Sequence, residues 1–163
     1  MGLNGVRFAK AVTGIAPIVA DIDGAKREAA LAAGAAQAID PAAEGALKTL
    51  LKATGGVAGA IDFAGAPASF NFAYNALRKG GRLVVVGLYG GAASLSLPLL
   101  VMRAVTVSGS YVGTKDELRQ LIDLARRERM APLPVKARPL ADAGAALAEL
   151  KAGKIVGRVV LHP

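Results

Sequence analysis

The sequence predicts an α/β fold, a doubly wound and mostly parallel sheet flanked by helices. Helix-like and strand-like segments alternate along the chain, the order that builds a sheet covered by helices. The strand-like runs, Leu83-Val84-Val85-Val86 above all, are apolar on both faces, as parallel strands buried between helices are. The chain also opens on a helical segment with no strand ahead of it. A doubly wound sheet normally opens on a central strand, so the first, central strand is expected to be missing.

The elements follow in order. Leu3, Val6, Phe8 and Ala9 give helical spacing over 3–12. Ile15 to Ala20 is an apolar run that stops at Asp21, and Asp23 is the expected N-cap of the next helix. A brief strand at 36–39 ends at Asp40-Pro41, and Leu47, Leu50 and Leu51 restore helical spacing over 42–53. Val57 to Phe63 reads as a strand. Pro67 to Leu77 reads as a helix closed by Arg78-Lys79-Gly80-Gly81, cations at the helix end and then glycine. Arg82 to Leu88 is the next strand, followed by a glycine loop. Beyond it come a strand at 104–111, a helix at 115–127, a strand near 134–138, a helix at 141–151 and a strand at 155–161.

Composition excludes several function classes. The 163 residues are 53% hydrophobic with mean hydropathy +0.43, ample for a buried core. There is no cysteine, so thiolate metal sites are excluded within this chain, and with a single histidine, His162, neither a multi-histidine metal site nor a Ser-His-Asp triad is expected. No metal ligand and no catalytic residue can be named. The net charge of +8 comes from 20 Lys and Arg against 12 Asp and Glu. The cations are scattered and aromatic residues few, which argues against nucleic acid as a partner. The apolar stretch Leu83 to Val107 is cut by Gly87, Gly90, Gly91, Pro98 and Arg103, so no membrane span is expected. The first residues lack the order of a secretory leader, and a cytoplasmic location is expected.

Asp21 carries the most chemical information. It closes a strand nineteen residues after Gly2. A dinucleotide fold places an acid at the end of its second strand, about 20 residues beyond a glycine turn, where it accepts hydrogen bonds from the adenosine ribose. With Asp23 as the cap, Asp21 is left for that task. Gly2 alone is a weak trace of such a turn.

Gly2-Leu3-Asn4-Gly5-Val6-Arg7-Phe8-Ala9-Lys10-Ala11, Val19-Ala20-Asp21-Ile22-Asp23 and Ala33-Gly34-Ala35 together resemble the cofactor domain of the medium-chain, zinc-type alcohol dehydrogenases. So do Ala60-Ile61-Asp62-Phe63-Ala64-Gly65, the run from Ala76 to Leu88, and the ending Gly153 to Leu161. The resemblance spans Gly2 to Pro163 and implies a Rossmann-like fold. It implies that Gly2 closes the phosphate turn, Asp21 holds the ribose diol and Lys26 lies near the same adenosine. Phe63, Ala64 and Gly65 would face the cofactor. Val86, Gly87 and Leu88, with Ser110 and Val112, would meet the nicotinamide amide through backbone groups, and Arg158 would reach the pyrophosphate. The acid at 21 repels a 2′-phosphate, which favours NAD over NADP.

The family's glycine turn reads G-x-G-G-V/L-G, and Met1 occupies its penultimate place. A shortened reading of a longer gene, or a broken gene, is the expectation, with the zinc-binding catalytic half absent and zinc held only there. On that reading residues 1–112 are the NAD-binding part and 113–163 the tail that packs back on the catalytic domain. The intact protein would be an NAD-dependent alcohol dehydrogenase acting on a small alcohol or aldehyde. It would be a homo-oligomer joined through the strand near 104–111. The isolated chain would be weakly folded or associating, and inactive.

Other readings remain beside it. A zinc-free quinone or enoyl reductase of the same superfamily usually prefers NADPH, which Asp21 disfavours. An S-adenosylmethionine methyltransferase shares the Leu77 to Val85 pattern but ends in a hairpin. A non-catalytic dinucleotide-binding module is the third. The Tyr111-x-x-x-Lys115 spacing imitates a catalytic tyrosine–lysine pair, but Thr114 to Glu117 is a capping box that starts a helix at Lys115 and leaves Tyr111 outside it.

Overall fold

The structure, a computed structural model, describes residues 2–163; Met1, and with it the penultimate place of the glycine turn, lies outside the described residues. The chain forms two compact units. One comprises the residues up to Ile39 together with Asp116–Pro163, and the other Asp40–Lys115.

In the first unit, α1 (Gly2–Thr13) packs on α2 (Gly24–Ala32), which lies against β1 (Ile18–Ala20) and β2 (Gln37–Ile39) and buries Ala30. The two strands pair in parallel, Ile18 opposite Gln37 and Ala20 opposite Ile39. Further along, α6 (Lys115–Arg127) is followed by β6 (Val135–Pro139), a 3-10 turn at Leu140–Asp142, α7 (Ala143–Lys151) and β7 (Arg158–His162). Strands β6 and β7 also pair in parallel. Gly157 has φ +88°, and a Cβ there would sit 2.1 Å from the Pro134 carbonyl oxygen, so only glycine lets the chain enter β7 this close to the start of β6. The Arg7 guanidinium donates to the Ala131 carbonyl at 2.6 Å and ties α1 to the segment after α6.

The second unit runs α3 (Ala46–Thr54), β3 (Val57–Asp62), α4 (Pro67–Ala76), β4 (Leu77–Val85), α5 (Leu97–Arg103) and β5 (Thr106–Gly109). Its sheet has the order β3-β4-β5, all parallel. One face carries the core, in which Tyr74, Leu77, Leu83 and Val105 are buried and Phe70, Val85, Leu100 and Val107 pack around them. Arg103 from the end of α5 donates to the Tyr74 and Leu77 carbonyls at 3.2 and 2.5 Å, and its guanidinium carbon lies 5.1 Å from the Tyr74 ring centre. The last turn of α4 and the start of β4 are thereby held together.

Every strand pairing among the described residues is parallel, as the doubly apolar runs require, and the fold is the expected α/β with helices against the sheets. The strands form three separate sheets. No described strand pairs with the second edge of β1 or of β3.

Three local expectations are corrected. The glycine loop after Leu88 contains a helix, α5, started by Ser96, whose hydroxyl accepts from the Leu99 amide, with Pro98 in the first turn where a missing N–H costs nothing. Strand β4 begins at Leu77, before the Arg78-Lys79-Gly80-Gly81 turn. Val57 faces Leu77 and Gly59 faces Arg82, so the turn bulges out of the ladder with Gly80 at φ +73°. Two strands end earlier than expected: β4 stops at Val85 and β5 at Gly109, which leaves Val86 to Leu88 and Ser110 to Val112 as strand-end loops.

Candidate functional site

The expected site residues divide between the units. In the first unit, Asp21 is the residue immediately beyond β1. Its amide continues the ladder by one bond to the Ile39 carbonyl at 3.1 Å. Its Oδ1 accepts from the Asp23 amide at 2.9 Å, while Oδ2 has no partner among the described residues. Asp23 accepts from the Ala25 and Lys26 amides at 2.8 and 3.2 Å and is the N-cap of α2, the role the sequence assigned to it. Lys26 approaches Asp23 at 3.9 Å, and its Nζ lies 3.7 Å from where a Cβ on Gly153 would stand. Asp21 is therefore not locked to that lysine. Gly2 is the first residue of α1 and exposed. Arg158 opens β7, its amide bonded to the Pro134 carbonyl and its guanidinium to the Gly157 carbonyl at 3.2 Å.

In the second unit the C-terminal ends of β3, β4 and β5 bring together Phe63, Ala64, Gly65, Val86, Gly87, Leu88 and Ser110. The Val86 and Gly87 amides both donate to the Asp62 carbonyl, at 2.9 and 3.0 Å. The Tyr89 and Gly90 amides reach the Ala64 and Gly65 carbonyls at 3.2 Å each, and the Ser110 amide reaches the Val85 carbonyl at 2.9 Å. Leu88 and Tyr89 are exposed, as are Tyr111 and Val112. Val112 sits at φ +47°, a left-handed conformation that is strained for a β-branched residue.

Two residues with a hand in these sites had no assigned role. Asp62 is buried, and its Oδ1 accepts from the Ala64 and Gly65 amides while Oδ2 accepts from the Ser69 hydroxyl at 2.9 Å. It shapes the loop after β3. The signal available was Asp62 followed seven residues later by Ser69 in the first turn of a helix. Arg27 donates to the Asp21 carbonyl at 2.7 Å, a reach back across six residues that no helical or strand periodicity announces.

Metal-binding donors are scarce. The chain has no cysteine and one histidine, and the described residues hold no group of three or more His, Asp or Glu able to surround a metal ion. The residues present do not fit a zinc ion. No helix among the described residues is long and apolar enough to cross a membrane.

Residues 1–127 match the family of zinc-binding dehydrogenases. The chain belongs to that family. Among curated relatives, an alcohol dehydrogenase of Geobacillus stearothermophilus is 34% identical over 163 residues, covering 99% of this chain and 47% of its own length. An NAD-dependent alcohol dehydrogenase of Saccharolobus solfataricus is 31% identical over 165 residues, covering 100% of this chain and 48% of its own. The alcohol dehydrogenase of Aeropyrum pernix superposes with a TM-score of 0.87 at 30% identity, over 97% of this chain and 46% of that one. The family fold extends to a quinone oxidoreductase of Pseudomonas syringae, TM-score 0.82 at 23% identity. The chain spans about half the length of the curated relatives it matches.

Proposed function

We propose that this chain is the NAD-binding part of an NAD-dependent alcohol dehydrogenase. The observation that carries the reading is Asp21. It stands at the carboxyl end of a parallel strand with one carboxylate oxygen engaged by the chain and the other open. That is the place and the valence a ribose hydroxyl needs. A 2′-phosphate would meet a like charge there, so NAD is the favoured form.

NAD, when bound, accepts the hydride taken from the alcohol carbon. The chain's own residues bind and orient it. Asp21 accepts from the adenosine ribose, and Lys26 adds a positive charge beside the adenosine. Gly2, at the first turn of α1, presents backbone N–H groups to the pyrophosphate, and Arg158 neutralises it. On the second unit, Phe63, Ala64 and Gly65 form a floor beside Gly87. The Val86, Gly87 and Ser110 amides are already engaged by Asp62 and Val85. What Val86 to Leu88, Ser110 and Val112 offer the nicotinamide amide therefore includes carbonyl oxygens. The substrate is a small alcohol or aldehyde, and the zinc of such an enzyme is held by residues outside this chain. The second edge of β5 has no partner strand among the described residues, and α5, just before it in the chain, exposes Leu97, Val101 and Met102, which supports a homo-oligomer joined near there.

Calorimetric titration of the chain with NAD, NADP and S-adenosylmethionine tests the reading. NAD alone should bind, and Asp21→Ala should abolish the preference over NADP. Binding of S-adenosylmethionine, or NAD binding indifferent to Asp21→Ala, sinks it.

A further inference from the structure

Asp21 is the first residue past a strand of only three residues, so the ladder alone gives it a weak hold. Three contacts fix it instead. Its amide is tied to the Ile39 carbonyl, its Oδ1 takes the Asp23 amide, and its carbonyl, already beyond the ladder, takes an Arg27 N–H at 2.7 Å. The first two hold the amide side and the side chain. Of the three, the third holds the peptide plane between Asp21 and Ile22. A guanidinium is a strong, charge-assisted donor in a rigid fork, suited to holding a peptide plane still. If that plane turns, the Asp23 amide two residues on moves with it, and the carboxylate loses the bond that engages Oδ1 and leaves Oδ2 open.

We infer that Arg27 is a positioning residue for cofactor recognition, locking the Asp21 main chain so that one carboxylate oxygen is kept for a ribose hydroxyl. The inference rests on the NAD-binding reading above. Through this bond Arg27 touches the acid's backbone rather than the dinucleotide.

A double-mutant cycle on the full chain tests this, with NAD and AMP as titrated probes and the thermal midpoint as a check of folding. Arg27→Gln should weaken both probes about tenfold, the scale of one charge-assisted hydrogen bond. Arg27→Lys, which keeps a charged donor, should recover most of the loss. In an Asp21→Ala background the Arg27→Gln change should cost nothing more, a coupling that a merely structural arginine would not show. Unaltered binding in Arg27→Gln, or an equal loss with and without Asp21, overturns the inference while NAD binding by the unmodified chain stands. Failure of the unmodified chain to bind NAD overturns the dinucleotide reading and this inference with it.

Discussion

Gly65 and Gly87 touch backbone to backbone. A Cβ on Gly65 would stand 1.9 Å from the Gly87 carbonyl oxygen, and a Cβ on Gly87 would stand 2.1 Å from the Ala64 carbonyl carbon. Gly65 also has φ +69°. The ends of β3 and β4 can converge only because both positions lack a side chain. Alanine at either should cost about 3 kcal/mol, the upper range for forcing atoms into filled space. Urea unfolding measures it, and a loss under half that would mean the strand ends part easily.

Asp62 predicts a graded pair. Asp62→Ala leaves the Ala64 and Gly65 amides without their acceptor, turns the Ser69 hydroxyl to the Ala66 carbonyl alone, and should cost about 3 kcal/mol. Ser69→Ala removes the hydroxyl that donates to Asp62 and accepts from the Ala66 amide at 3.1 Å, and should cost about 2 kcal/mol. Thermal unfolding of the two variants gives the order, and a reversed order would contradict this account of the loop.

The Tyr74 hydroxyl is buried with no hydrogen-bond partner among the described residues. The ring's other contacts, stacking on Phe70 at 6.1 Å and the Arg103 guanidinium above it, need no hydroxyl. Tyr74→Phe should therefore stabilise the chain by about 1 kcal/mol. A lowered melting temperature would show that the hydroxyl has found an acceptor.

Arg138 and Glu149 form a two-pronged pair, Nη1–Oε1 2.9 Å and Nη2–Oε2 2.7 Å. The Arg138 hydrogen bonds hold the Glu149 carboxyl below its ordinary value, and Glu149 raises Arg138 in turn. A carboxylate with a lowered value in the folded state stabilises the fold above its unfolded value, and that stability is lost as pH falls through the folded one. The effect is small, because the side chains are 22% and 39% exposed and water screens them. Melting temperature should fall slightly less on acidification in Glu149→Gln than in the unmodified chain, and identical pH profiles would remove the pair from the account.

The elements legible in the sequence are those whose cause is local. Helix α6 spans Lys115–Arg127 as read, because a Thr-x-x-Glu start and an amphipathic repeat both lie within the segment. The Asp23 cap was legible for the same reason. Helix α5 was not, since its seven residues follow a glycine-rich stretch and its apolar run matches strand as well as helix. The start of β4 at Leu77 depends on pairing with Val57, twenty residues away. In the site, Asp21 stood out by position, whereas Arg27 and Asp62 act through bonds to backbone groups that sequence spacing does not single out.

The first unit is built from two segments far apart in sequence, residues up to Ile39 and Asp116–Pro163, and the Arg7–Ala131 bond spans 124 positions. During synthesis the middle segment, Asp40–Lys115, is complete on its own and free to settle as it leaves the ribosome. Residues 2–39 must wait for Asp116–Pro163 before their unit can close. Synthesis interrupted after Lys115 would thus leave an ordered middle segment beside a stretch still lacking its partner, an obvious foothold for proteases.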